Sequence, residues 1–206
     1  IGQLATVPPK QRTKKAIAHA VRIPQELPDL AFRGGFILEK IAGPLSSGHL
    51  GLLTTNVDDN PSVTFNYFQN PQDLQHCVQG MQIISKLIKS PEFTNFLYHN
   101  TTVEQLLNLT TTFPVNLIPK HTNDTSSLKQ FCRDRVMTIW HYHGGCQVGR
   151  VVYQNYHVLG VYALRVIDGS PSNFSAGTNP QATVMMLGRN MGVKILKERG
   201  QQNKRD

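Results

Sequence analysis

The strongest periodic signal in the chain lies between Asn70 and Pro91. Leu74, Val78, Met81, Ile84 and Ile88 recur at helical spacing. Asn70 can cap this helix, Pro71 fits its first position, Asp73 favours its first turn, and Ser90-Pro91 ends it. The Met and Ile stripe reads as core packing, not as a cofactor box. Shorter helices are expected around Lys14–Val21, over Thr102–Leu109, and over Leu128–Arg135 behind Ser126 or Ser127. A last helix should start at Asn179-Pro180 and run to about Arg199. β-prone runs appear at Phe36–Lys40, stopped by Gly43-Pro44, at His49–Thr55 and at Ser62–Phe68, with Asp58-Asp59-Asn60-Pro61 as a turn. Two more follow. Val136–Tyr142 runs into Gly144-Gly145, and Val158–Ile167 is broken by Gly160 and ends at Asp168-Gly169-Ser170. Residues 1–35 carry four prolines and read as an irregular entry, and His121–Ser127 reads as polar loop. Mixed strands and helices of this kind predict an α+β fold, an antiparallel sheet backed by helices.

Composition narrows the class. The 206 residues suit one domain or one large module, and 39% hydrophobic against 17% charged is enough to build a core. No run of about 20 apolar residues occurs, so no membrane span is expected. The first residue is Ile1, and we read the chain as a fragment whose natural start lies upstream. The formal charge is +8, but the basic residues gather near the two ends, Lys10 to Lys15 and Lys194 to Arg205. They lack interleaved aromatics, so they read as solvated surface with no nucleic-acid partner. Cys77, Cys132 and Cys146 show no C-x-x-C spacing; one disulfide and a spare thiol fit, in any pairing. Sequons at Asn100, Asn108, Asn123 and Asn173 suit a glycosylated protein of the secretory pathway or extracellular space.

Three stretches could carry chemistry. In Trp140-His141-Tyr142-His143-Gly144-Gly145-Cys146, two histidines two apart would share one face of a strand, and the glycines let backbone approach a ligand. With an ordinary pKa near ~6.5, either could be a general base. Equally, they could be structural histidines; no third residue at helpful spacing completes a metal site. Asp168-Gly169 is a strand-to-loop exit, where open α/β sheets place ligands, or simply a turn. Asn179-Pro180-Gln181 starts a helix whose N-terminus suits an anionic group, or is an ordinary cap.

In this order, the three stretches resemble the C-terminal region of the glucose–methanol–choline (GMC) oxidoreductases, most of all plant HOTHEAD-like and mandelonitrile-lyase-like members. Thr138 to Gly149 resembles their active-site strand, Val158 to Ser170 their last nucleotide-domain strand, and Asn179 to Gly188 the flavin-facing end of their terminal helix. Upstream, Phe32–Glu39, Gly43–Leu50 and Asn60–Tyr67 are similar to the family's substrate domain. The resemblance implies residues 1–137 as substrate-binding part and 138–206 as active-site strand plus the last strand and terminal helix of a truncated FAD-binding domain.

By that resemblance, the protein is an FAD-dependent oxidoreductase acting on the CH–OH group of an alcohol with a long or hydrophobic chain, such as a hydroxy fatty acid. His141 would be the catalytic base and Asn179 its partner on the substrate oxygen. FAD contacts would come from Trp140, His141, Asp168, Gly169, Pro180 and Gln181. Reduced flavin is anionic, and a helix N-terminus would stabilise it. The hydroxynitrile lyases of the family carry His where this chain has Asn179, and Tyr where it has Ile139; both differences favour alcohol oxidation over the lyase alternative. Departures from the family pattern fall at Tyr153, Tyr162, Pro171 and Asn190. No G-x-G-x-x-G follows a strand here, so we expect the chain to need a separate FAD-binding half, to hold FAD weakly alone, and to be inactive, even a non-catalytic remnant, without it. If the site forms, the polar atoms of His141 and Asn179 should lie roughly 4–7 Å apart across a shared oxygen.

Overall fold

The computed structural model describes residues 13–18, 35, 37–112 and 127–202. Most of the irregular entry, the end of the Lys14–Val21 helix, Phe36, the polar loop up to Ser126 and the extreme C-terminal basic residues lie outside them. A helical turn forms over 14–18, where Thr13 Oγ1 accepts the Ala16 N–H at 3.2 Å. The described chain falls into two compact units, one drawn from Ile1–Glu39 and Asn70–Met137, the other from Lys40–Gln69 and Thr138–Asp206.

The first unit is helical. Helix α1, Pro71–Ile88, starts where the sequence predicts: the Asn70 side chain accepts the Gln72 N–H at 2.9 Å, and Asp73 is buried in the first turn. Ser90 then caps α2, Pro91–Thr94, by accepting the Phe93 N–H at 3.3 Å. Helix α3, Val103–Thr112, opens on a reciprocal box. Thr102 Oγ1 accepts the Gln105 N–H at 3.2 Å, and Gln105 Oε1 accepts the Thr102 N–H at 2.8 Å. Ser127 caps α4, Leu128–Arg135. Helix α4 packs on α1, Leu74 and Cys132 are buried, and a Cys77–Cys132 disulfide settles the pairing the sequence left open. Cys146 is a free thiol.

In the second unit the regular sheet is small. Strands β1, His49–Gly51, and β2, Ser62–Thr64, pair antiparallel with His49 opposite Thr64. Both are shorter than their β-prone runs. The strands expected at Phe36–Lys40, Val136–Tyr142 and Val158–Ile167 do not form. Residues 37–40 have no partner ladder among the described residues. Trp140, at φ 61°, turns the second run left-handed. Gly160 at φ 73° and Ala163 at φ 60° fold the third into tight turns, leaving single bridges Val152↔Val158 and His157↔Arg165. Helix α5, Gln181–Gln202, closes the unit, with Met191 and Val152 as its buried apolar side chains. Arg165 ties the turns to α5: its Nη2 donates to Glu198 Oε2 at 2.5 Å and its Nε to His157 Nε2 at 3.0 Å. That hydrogen bond, with the Arg165 charge, holds the Glu198 carboxyl below its ordinary range.

The entry to β1 depends on Gly48. A Cβ there would lie 1.8 Å from the Thr64 carbonyl oxygen, which is backbone and cannot swing away. Gly48→Ala should therefore cost about 3 kcal/mol by forcing the two strands apart. Thermal unfolding checks this; an unchanged midpoint would show that the strands do not come so close.

Candidate active site

Residues far apart in sequence converge within the second unit. Asn179 lies two residues before the first residue of α5, its Oδ1 accepting the Gln181 N–H at 2.9 Å, so the helix begins slightly later than Asn179-Pro180. Because the oxygen is committed there, the amide nitrogen faces outward. It lies 3.3 Å from His141 Nε2. That is closer than the separation expected for a shared oxygen, because the two groups touch directly. With Asn179 Nδ2 as donor, His141 Nε2 accepts, which leaves a lone pair on the nitrogen that faces the exposed amide. An oxygen about 2.9 Å from each nitrogen could replace this direct contact and bond to both.

Lys40 joins them, unanticipated from the sequence. Its Nζ donates to the Thr178 carbonyl at 2.7 Å and lies 3.4 Å from His141 Nδ1. A neutral imidazole has one acceptor nitrogen, so Lys40 and Asn179 cannot both donate to it in one tautomer. The Thr178 bond anchors Lys40 in either. Lys40 directly follows the run Phe32–Glu39, and no local pattern marks it out.

The other candidates separate. His143 does not share a face with His141, since no strand forms; its Nδ1 sits 3.3 Å from the His141 carbonyl oxygen. Asp168 spends its carboxylate on its own turn, Oδ1 accepting from Ser170 N at 2.8 Å and Ser170 Oγ at 2.5 Å. Gly169 packs on the histidine segment: a Cβ there would lie 3.3 Å from the Tyr142 carbonyl oxygen. Beyond both motifs, Cys146 N donates to Ser170 O at 3.1 Å. Trp140 is 54% exposed beside His141, and Pro180 and Gln181 lie next to Asn179 at the start of α5. The first turn of α5 carries no acidic residue, so its positive pole is not offset, which suits an anionic group. Among the described residues, no group of three or more His, Cys, Asp or Glu is placed to hold a metal ion. Nor is any described helix long and apolar enough to cross a membrane.

The C-terminal GMC oxidoreductase family model matches residues 44–188. The chain belongs to the GMC oxidoreductase family. It is 56% identical to protein HOTHEAD of Arabidopsis thaliana over 197 residues, 95% of this chain and 33% of that protein. It is 42% identical to (R)-mandelonitrile lyase 1 of Prunus serotina, over 78% of this chain and 28% of the lyase. It is 38% identical to a sinalpyl alcohol oxidase of Nesocodon mauritianus, over 85% of this chain and 31% of the oxidase. The chain thus spans about a third of the length of the curated relatives it matches.

Proposed function

We propose that this chain is the substrate-binding and active-site part of an FAD-dependent oxidoreductase that oxidises the CH–OH group of a hydrophobic alcohol. The observation that carries this reading is the 3.3 Å approach of His141 Nε2 to Asn179 Nδ2. An alcohol oxygen that enters between the two groups displaces their direct contact, accepts from the Asn179 amide and presents its proton to the Nε2 lone pair so released. As the proton moves to Nε2, the Asn179 N–H steadies the alkoxide. Asn179 has no proton to relay, which suits this direction better than cyanohydrin cleavage. When bound, flavin supplies the hydride acceptor. Trp140 and the start of α5 would hold its ring system.

A flavin-binding half beyond these residues completes the site in this reading. Its support is the exposure of large apolar side chains on the second unit: Tyr162 is 98% exposed and Leu196 70%. Exposed large apolar side chains of this kind suit a surface that a partner covers. An oxidising, secretory compartment suits the Cys77–Cys132 link and the exposed sequon residues Asn100, Asn108 and Asn173.

The test is anaerobic. Protein carrying this chain together with its flavin-binding half is mixed with a series of alcohols, and the visible flavin absorbance is followed. Bleaching by a hydrophobic primary alcohol is the expected result. Cleavage of mandelonitrile without bleaching by any alcohol would make it a lyase. A protein that retains no flavin would be a non-catalytic remnant.

A further inference from the structure

We propose that Phe65, Tyr67 and Thr138 are positioning residues that brace the His141-bearing turn from both ends and so hold the imidazole against Asn179. The proposal rests on the reading of His141 as the catalytic base.

The turn needs a brace. Trp140 sits at φ 61°, a left-handed conformation that a bulky residue keeps only where its surroundings enforce it. That backbone conformation sets the direction in which the next residue, His141, leaves the chain. On the near side of the turn, Thr138 Oγ1 accepts the Trp140 N–H at 2.9 Å. The same hydroxyl pairs with the phenol of Tyr67. One threonine oxygen therefore closes the turn and ties it to the segment that leaves β2. Partial burial pushes the Tyr67 phenol above its ordinary range, against the lowering effect of the Thr138 hydrogen bond.

On the far side, the Tyr142 ring stacks on Phe65, with centroids 5.7 Å apart and planes 12° from parallel. Phe65 stacks in turn on Tyr67 at 5.2 Å and 5°. The two grips thus meet on one short segment. Residues 65 and 67 hold residue 138 through a hydroxyl and residue 142 through a ring, with His141 between them. The segment is itself pinned, since Asn66, at φ 53°, donates from Nδ2 to the Ser47 carbonyl at 3.1 Å. A histidine on an unbraced loop would lose the alignment that a base needs, because small misplacements are costly in rate.

Trp140 is the chain's sole tryptophan, so its fluorescence reports on this turn without any flavin. Tyr67→Phe keeps the stacked ring and removes the hydroxyl; Thr138→Val keeps the shape and removes the oxygen. Each should raise acrylamide quenching of Trp140 and lower its anisotropy, with far-UV circular dichroism unchanged. The double variant should be no worse than the worse single, because both remove one hydrogen-bonded unit. Thr138→Ser, which keeps the oxygen, should recover most of the effect seen with valine. In flavin-loaded protein, Tyr67→Phe should lower kcat roughly ten- to hundred-fold with KM little changed. Unchanged Trp140 fluorescence in Tyr67→Phe overturns the brace, and so does a loosened Trp140 with undiminished kcat. Should Thr138→Val fail to fold, Tyr67→Phe decides alone. Failure of the alcohol-oxidation reading appears separately, as a wild-type protein without turnover, and the fluorescence comparison then decides the brace by itself.

Discussion

His141→Ala should lower kcat for alcohol oxidation roughly 10²–10⁴-fold in flavin-loaded protein, with the flavin spectrum unchanged. The range corresponds to about 3–5 kcal/mol of transition-state stabilisation. The argument is geometric. Asn179 Oδ1 is fixed by the Gln181 N–H at 2.9 Å, so the Nδ2 that meets the imidazole is held by the start of a 22-residue helix. Alanine at 141 removes the only group at this point that can take a proton, since the amide cannot and the Lys40 ammonium is a donor. Because proton acceptance occurs in the transition state and not on binding, kcat and kcat/KM should fall together. A rise in KM at constant kcat would make His141 a binding residue. Undiminished turnover would move the base elsewhere, with His143 the next histidine to substitute.

What the sequence disclosed, and what it hid, follows the range of the forces involved. Helix starts were legible because a cap is a local contract: Asn70 with Gln72, Ser127 with Gln130, Asn179 with Gln181 are each settled within a few residues. Strands are less legible. Val136–Tyr142 and Val158–Ile167 have β-prone composition, but a strand exists only through a partner ladder, and left-handed Trp140 and Ala163 interrupt both runs. Neither residue type announces a positive φ. Losing the strand also removed the argument that His141 and His143 share a face. The convergence of His141 with Asn179 came from resemblance to a family and not from spacing, since nothing local links positions 38 apart. Lys40 was invisible for the same reason: its meaning lies in the Thr178 carbonyl, 138 residues away.

Removing the Cys77–Cys132 bridge should cost the first unit about 4 kcal/mol. The bridge links residues 55 apart, and the chain-entropy account gives this value for a loop of that length, since the unfolded chain regains the freedom that the link denied it. Among the described residues of the first unit, the buried apolar side chains are Leu74 and Cys132 itself, while Ile83, Leu87, Phe96 and Tyr98 are at least half exposed. A covalent link contributes most where few apolar side chains are buried around it, as among these described residues. Helix α1 carries one cysteine and α4 the other, so the link holds together the helix pair that packs most closely there. The measurement is urea unfolding of a Cys77→Ala/Cys132→Ala variant, followed by far-UV circular dichroism. The midpoint should drop sharply, and the slope should rise if the unlinked unfolded chain is more expanded. The single variants should lose at least as much stability, because each leaves an unpaired thiol able to form wrong disulfides with Cys146. A double variant within 1 kcal/mol of the parent would mean that helix packing alone holds α1 to α4, and that the bridge is dispensable to the fold.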